Sequence, residues 1–126
     1  MNITKQKMMG RGVYTYDFDN DFLIYKIDEV DYYRSIEHED LVIDFSKKGL
    51  LSGIRVFDAS VVFGVSKEAL KSVSNFKLIT KIAKNGISLR ITFETKKQSK
   101  IKTYEQSFVT QAVNQNILDS DMVYTV

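Results

Sequence analysis

Apolar residues recur at every second position over much of the chain. Tyr14, Tyr16 and Phe18 share one face of an extended segment, Asp19-Asn20-Asp21 turns the chain, and Phe22-Leu-Ile-Tyr-Lys-Ile27 returns. This predicts a hairpin whose second strand is apolar on both faces and so partly covered on both sides. Leu41, Ile43 and Phe45 alternate with Val42 and Asp44, and Ser46-Lys-Lys-Gly49 has the composition of a turn into a strand over 50–57. In the acidic stretch 28–40, Tyr32, Tyr33 and Ile36 are candidates for a short strand.

Punctuation then changes the period. Gly53 has no side chain to pack, which marks a bulge or a place where another element crosses closely. Asp58, just before Ala-Ser-Val-Val-Phe, reads as the N-cap of a helix that Gly64 ends. Ser66 reads as a second N-cap, with Val65 stapled to Leu70, and a helix over about 67–73 lays Ala69, Leu70 and Val73 on the sheet.

After residue 75 the period of two resumes. Phe76, Leu78, Thr80 and Ile82 lead to Asn85-Gly86, a type I′ hairpin signal, and then to Ile87, Leu89, Ile91 and Phe93. A third strand follows over about 100–109, and Met122-Val-Tyr124 suits a last edge strand. The expected architecture is α+β: a mainly antiparallel β-sheet with two short consecutive helices between two strand groups. The pattern leaves open whether those groups form one sheet or two layers. We expect a single domain over 1–126, with residues 1–11 as a flexible arm, a β segment over 12–60, and helix plus β-meander over 61–126.

Composition narrows the chemistry. The 126 residues include no cysteine, which removes thiol catalysis, thiolate zinc sites and iron–sulfur clusters and fits a reducing cytosol. No apolar run approaches the ~20 residues that cross a bilayer, and the N-terminus lacks an apolar signal core. The expectation is a cytoplasmic protein with no membrane partner.

Charge is distributed unevenly: residues 1–63 carry net −3 and residues 64–126 net +5. The stretch 67–102 holds only Glu68 and Glu94 against ten Lys and Arg. Lys77, Lys81, Arg90, Lys100 and Lys102 are the candidate contacts for nucleic acid on one sheet face, with Tyr104 the aromatic nearby. The alternative use of such lysines is to keep a wet sheet face and its edges from aggregating.

Other constellations are weaker. Asp17, Asp19 and Asp21 have the odd-position spacing of a calcium loop without its glycine or its distal glutamate. His38 lies among carboxylates in Glu37-His38-Glu39-Asp40. Ser60 has nothing that places His38 beside it as a base. Ser74-Asn-Phe-Lys77 enters a strand rather than opening a buried helix. Gly10-Arg-Gly12 lacks the strand and helix of a phosphate loop. No catalytic residue, metal site or cofactor is therefore assigned.

Tyr16, Asp17, Asp21 and Leu23, followed by Asp44, Gly49, Gly53, Ile54, Val56, Asp58, Ala59 and Ser60, carry a resemblance. Over about residues 14–60 the chain resembles a small prokaryotic family, domain of unknown function 2283. The resemblance implies a fold and no mechanism, since the family has no assigned activity. Ser46 stands where the family often has an acid, Arg55 where it has Glu, and Ile24 where it has an aromatic, with Tyr25 one later. A site built from the family's acidic positions would be incomplete here. The function expected is a self-associating structural or interaction module, most simply a homodimer, with nucleic-acid binding through 67–102 as the alternative.

Overall fold

The computed structural model describes residues 8–83, 86–97, 99–111 and 117–126. In chain order the elements are β1 (Met8–Asp17), β2 (Phe22–Ile27), β3 (Arg34–His38), β4 (Leu41–Phe45), β5 (Leu51–Val56), α1 (Ala59–Phe63) and α2 (Lys67–Leu70). Then come β6 (Val73–Ala83), β7 (Gly86–Lys97), β8 (Lys100–Thr110) and β9 (Ser120–Thr125). The strands form one curled nine-stranded sheet in the order β3-β4-β5-β2-β1-β9-β6-β7-β8. The α+β class with two short helices between two strand groups holds.

The sheet is mainly antiparallel, as expected, but three details differ. The sheet is mixed, because β9 runs parallel to β1, with Met8 beside Met122 and Arg11 beside Thr125. β9 is also central rather than an edge, since its other side pairs antiparallel with β6. It thereby closes the seam between the two strand groups. Met8–Arg11, expected in the flexible arm, are the part of β1 that makes this parallel pair. Residues 84–85, where the type I′ turn was expected, lie outside the described residues.

β1 belongs to both halves of the sheet. Its first residues pair with β9 and Gly12–Asp17 pair with β2. At the changeover Gly12 lies so close to the Lys26 carbonyl oxygen and the Tyr25 ring that a Cβ has no room. The absent side chain lets β1 and β2 pass at the corner where the sheet curls. Tyr25 then ties the halves together: its hydroxyl donates to the Thr125 carbonyl oxygen at 2.6 Å and its ring meets Phe76 at 5.0 Å.

Gly53 carries both features predicted for it. A Cβ there would sit 2.5 Å from the Tyr25 carbonyl oxygen, and the β4–β5 register shifts beside its partner Asp44. Inside the curl, one apolar cluster spans both halves, from Leu23, Ile43 and Ile54 to Leu78, Leu89 and Phe93. The helices plug its open side. Phe63 of α1 meets the Phe93 ring edge-on at 5.0 Å, and Leu70 of α2 is fully buried. Each such large side chain contributes roughly 1.5–3 kcal/mol by leaving water. α2 stops at Leu70 rather than about 73, because Val73 already begins β6.

Candidate functional site

The cap of α1 differs from the one expected. Asp58 takes a left-handed conformation (φ 50°) and its side chain makes no capping bond. The cap is supplied from 39 residues away by Asp21, at the end of the β1–β2 turn. Its Oδ1 accepts from the Ser60 amide at 3.0 Å, and its Oδ2 accepts from the Ser60 hydroxyl at 2.6 Å. Its backbone carbonyl accepts from the Ala59 amide at 3.1 Å. The Tyr16 hydroxyl adds a third side-chain bond, donating to Oδ1 at 2.6 Å.

These bonds set the protonation states. Partial burial pushes the Asp21 carboxyl up, but the donations from Ser60 and Tyr16 outweigh it and hold the group below the usual carboxylate range. Burial, reinforced by the Asp21 carboxylate, pushes the Tyr16 hydroxyl well above its ordinary value. Tyr16 therefore stays a donor and Asp21 an acceptor. Ser60, whose proton points at a carboxylate with no imidazole in the network, is a structural clasp.

The aspartates of the β1–β2 turn do not converge on one point. Asp17 accepts from the amide and side chain of Asn20 at 3.2 and 2.8 Å, while Asp21 faces Ser60. Asp19 is exposed in the turn. Among the described residues no group of three or more His, Asp or Glu could hold a metal ion. His38 ends β3 opposite Leu41, and none of the hydrogen bonds of Ser60 among the described residues reaches it.

A second polar cluster lies on the outer face of β4 and β5. Arg55 clasps Asp44 through Nε at 2.9 Å and through a terminal nitrogen at 2.8 Å. Ser35 bridges the pair, donating to Asp44 at 2.7 Å. The hydrogen bond to Asp44 holds the Arg55 guanidinium charged. Beside this pair is a shallow cleft of ≈ 340 Å³ bordered by Lys26, Val30, Tyr32 and Gly53. The departure to Arg55 thus creates an ion pair with Asp44.

The basic residues singled out for nucleic acid divide between two faces. Strand register puts Lys77, Lys81 and Arg90 on the outer face, opposite the buried Phe76, Leu78, Leu89 and Ile91. That face is diluted by acids: Lys81 pairs across to Asp121, and Arg90 lies 3.7 Å from Glu105. Lys100 and Lys102 are on the inner side. There they line a cleft of ≈ 590 Å³ with Lys97 and Tyr104 of the β7–β8 hairpin and with Ser66 and Ser72 beside α2.

The network of Tyr16, Asp21 and Ser60 joins the first and last parts of the matching motif. Residues 14–60 match the DUF2283 family. Its description is a protein of unknown function. Tyr16 and Asp21 near the start of the matched stretch and Ser60 at its end are thus the parts of one clasp. An uncharacterized protein of Methanocaldococcus jannaschii is 34% identical over 77 residues, 60% of this chain and 66% of its own length. A Methanosarcina mazei protein named "Putative hypoxanthine phosphoribosyltransferase" is 26% identical over 88 residues, 70% of this chain and 72% of its own length. The chain thus spans about two thirds of the length of the first of these relatives. No solved structure matches it.

Proposed function

We propose that the protein is an assembly module that pairs with a second copy of itself along β8. The observation that supports this most is the edge itself. Among the described residues β8, 11 residues long, pairs with β7 alone, and it leaves Ile101 and Val109 66% and 71% exposed. Its outward row of N–H and C=O groups is a template for another strand. The lysines that blunt such an edge stand at one end, Lys100 and Lys102, and Thr103–Thr110 contains Glu105 as its single charge. The opposite edge, β3, has five residues.

Charge and packing select a register. A two-fold axis normal to the sheet at Gln106 sets Tyr104 opposite Phe108 of the partner subunit and Glu105 opposite Ser107 of the partner subunit. Both aromatic pairs fall on the inner face, and such cross-strand pairs stabilise by roughly 0.2–1 kcal/mol each. Moving the axis to Glu105 would oppose two carboxylates, which is destabilising. Sedimentation over a wide concentration range tests the reading. A dimer mass is expected for the native chain and a monomer, with an unchanged circular dichroism spectrum, for Ser107→Glu, which opposes a carboxylate to Glu105 of the partner subunit while Ser107 itself is exposed and paired to Arg90; a native chain that stays monomeric throughout overturns it.

A further inference from the structure

We propose that the cleft between α2 and the β7–β8 hairpin binds an oligophosphate, either free or carried by a nucleotide or a nucleic-acid end. The cleft's ≈ 590 Å³ falls within the roughly 300–1,000 Å³ of small-ligand sites. Its floor is cationic for a reason visible in the ladder. Lys97 stands directly opposite Lys100, and Thr95 directly opposite Lys102, so three ammonium groups occupy neighbouring positions on one face.

Like charges directly across a ladder destabilise it, so this arrangement asks for a counter-charge. Among the described residues the ion pairs are Arg55–Asp44, Lys71–Glu68 and Arg90–Glu105, none of which involves these lysines. The one carboxylate on the cleft wall, Glu68, lies 3.9 Å from Lys71. The Ser66 hydroxyl is already engaged, accepting from the Ala69 amide at 3.1 Å, and Ser72 adds a hydroxyl to the same wall. Lys102 is positioned over the Tyr104 ring at 5.3 Å, while Phe93 stacks on that ring at 5.4 Å. The aromatic backing fixes where one ammonium sits.

Lysine ammoniums act as point charges and do not demand one planar geometry. A chain of linked phosphates, with a negative charge every few ångströms, therefore suits the row better than a single carboxylate. On the outer face Lys81 and Arg90 have acidic neighbours, and neither they nor Lys77 line this cleft. The proposal does not depend on dimer formation, because the cleft is lined by residues of a single chain.

Calorimetric titration of the full chain with inorganic tripolyphosphate tests it, at low and at high salt. The expected result is saturable binding that weakens as salt rises, because counterions compete for the lysines. Lys97→Ala with Lys100→Ala should weaken it at least ~10-fold, the order expected from losing two of the four lysines that line the cleft. Lys77→Ala, Lys81→Ala and Arg90→Ala together should leave it within ~2-fold, since exposed charges elsewhere are screened. Tripolyphosphate should also raise the melting temperature of the native chain and not of the Lys97/Lys100 variant, whose fold is checked by that same melt. A nucleoside triphosphate and single strands with and without a 5′-phosphate separate the sources. Absence of tripolyphosphate binding, or loss that follows the outer-face variant instead, overturns the proposal.

Discussion

Asp21 holds Ser60 by two bonds, 3.0 Å from its amide and 2.6 Å from its hydroxyl, and so fastens the β1–β2 turn to the start of α1. A five-residue helix has too few internal bonds to persist unaided. Replacing Asp21 by Ala removes the cap and leaves the Tyr16 and Ser60 hydroxyls without their acceptor. A loss of about 2–3 kcal/mol in urea unfolding is expected from the cap together with a stranded polar group. Asp58→Gly should be neutral or mildly stabilising, because Asp58 makes no cap and its left-handed backbone suits glycine.

The same carboxylate predicts an acid dependence. Its pKa is lowered on folding from an ordinary value of 3.8. The associated stability is therefore fully present above that value and is lost as pH falls through the lower folded-state pKa. Asp17, also lowered, chiefly by the bond from the Asn20 side chain, acts in the same direction. Urea midpoints measured from neutral to strongly acidic pH should fall less steeply for Asp21→Asn than for the native chain. Parallel acid limbs would contradict this assignment.

Gly12 predicts a steric effect. A methyl group there meets the Lys26 carbonyl oxygen and the Tyr25 ring, and neither can retreat without opening β2 or breaking the Tyr25–Thr125 bond. Gly12→Ala should cost about 1–3 kcal/mol, the usual range for overpacking. Thermal melts of this variant check it, with Gly64→Ala as a comparison where a methyl meets open space and only the backbone (φ 65°) resists.

Arg55 and Asp44 should be strongly non-additive. Asp44 is 12% exposed at its side chain and Arg55 33%, so water screens the pair only in part. Arg55→Ala strands the carboxylate and should cost about 1–3 kcal/mol. Asp44→Asn combined with Arg55→Ala should recover much of that loss, since neither change then leaves a buried charge alone. A double-mutant cycle measures the coupling, and additive single effects would show that the pair is not energetically linked.

Strands were legible because a buried face imposes a period of two, and Phe76–Ile82 and Ile87–Phe93 show it without interruption. Gly64 and Ser66 were legible because helix ends use local chemistry. Asp58 misled because its position suits an N-cap, whereas its left-handed backbone turns the side chain away and a partner 39 residues distant takes over. Only the pairing in the motif of Asp21 with Asp58-Ala-Ser60 carried a trace of that bond. The place of β9 was not legible either, since Met122 and Tyr124 alternate alike in an edge strand and in a seam. Lys77 and Lys102 looked alike in sequence, yet the β7–β8 register puts them on opposite faces.

Pairing along β8 is tested most directly by cross-linking. The chain has no cysteine, so one introduced thiol reports on one position. With the axis at Gln106, two Gln106→Cys side chains face each other at a Cα separation of roughly 4.5–5.5 Å, which a disulfide spans. Thr103→Cys places its thiols six residues apart along the paired strands, roughly 20 Å, and cannot bridge. Mild oxidation should give a covalent dimer for Gln106→Cys and none for Thr103→Cys; a Gln106→Cys chain that remains monomeric, or equal cross-linking at both positions, would contradict the β8 interface.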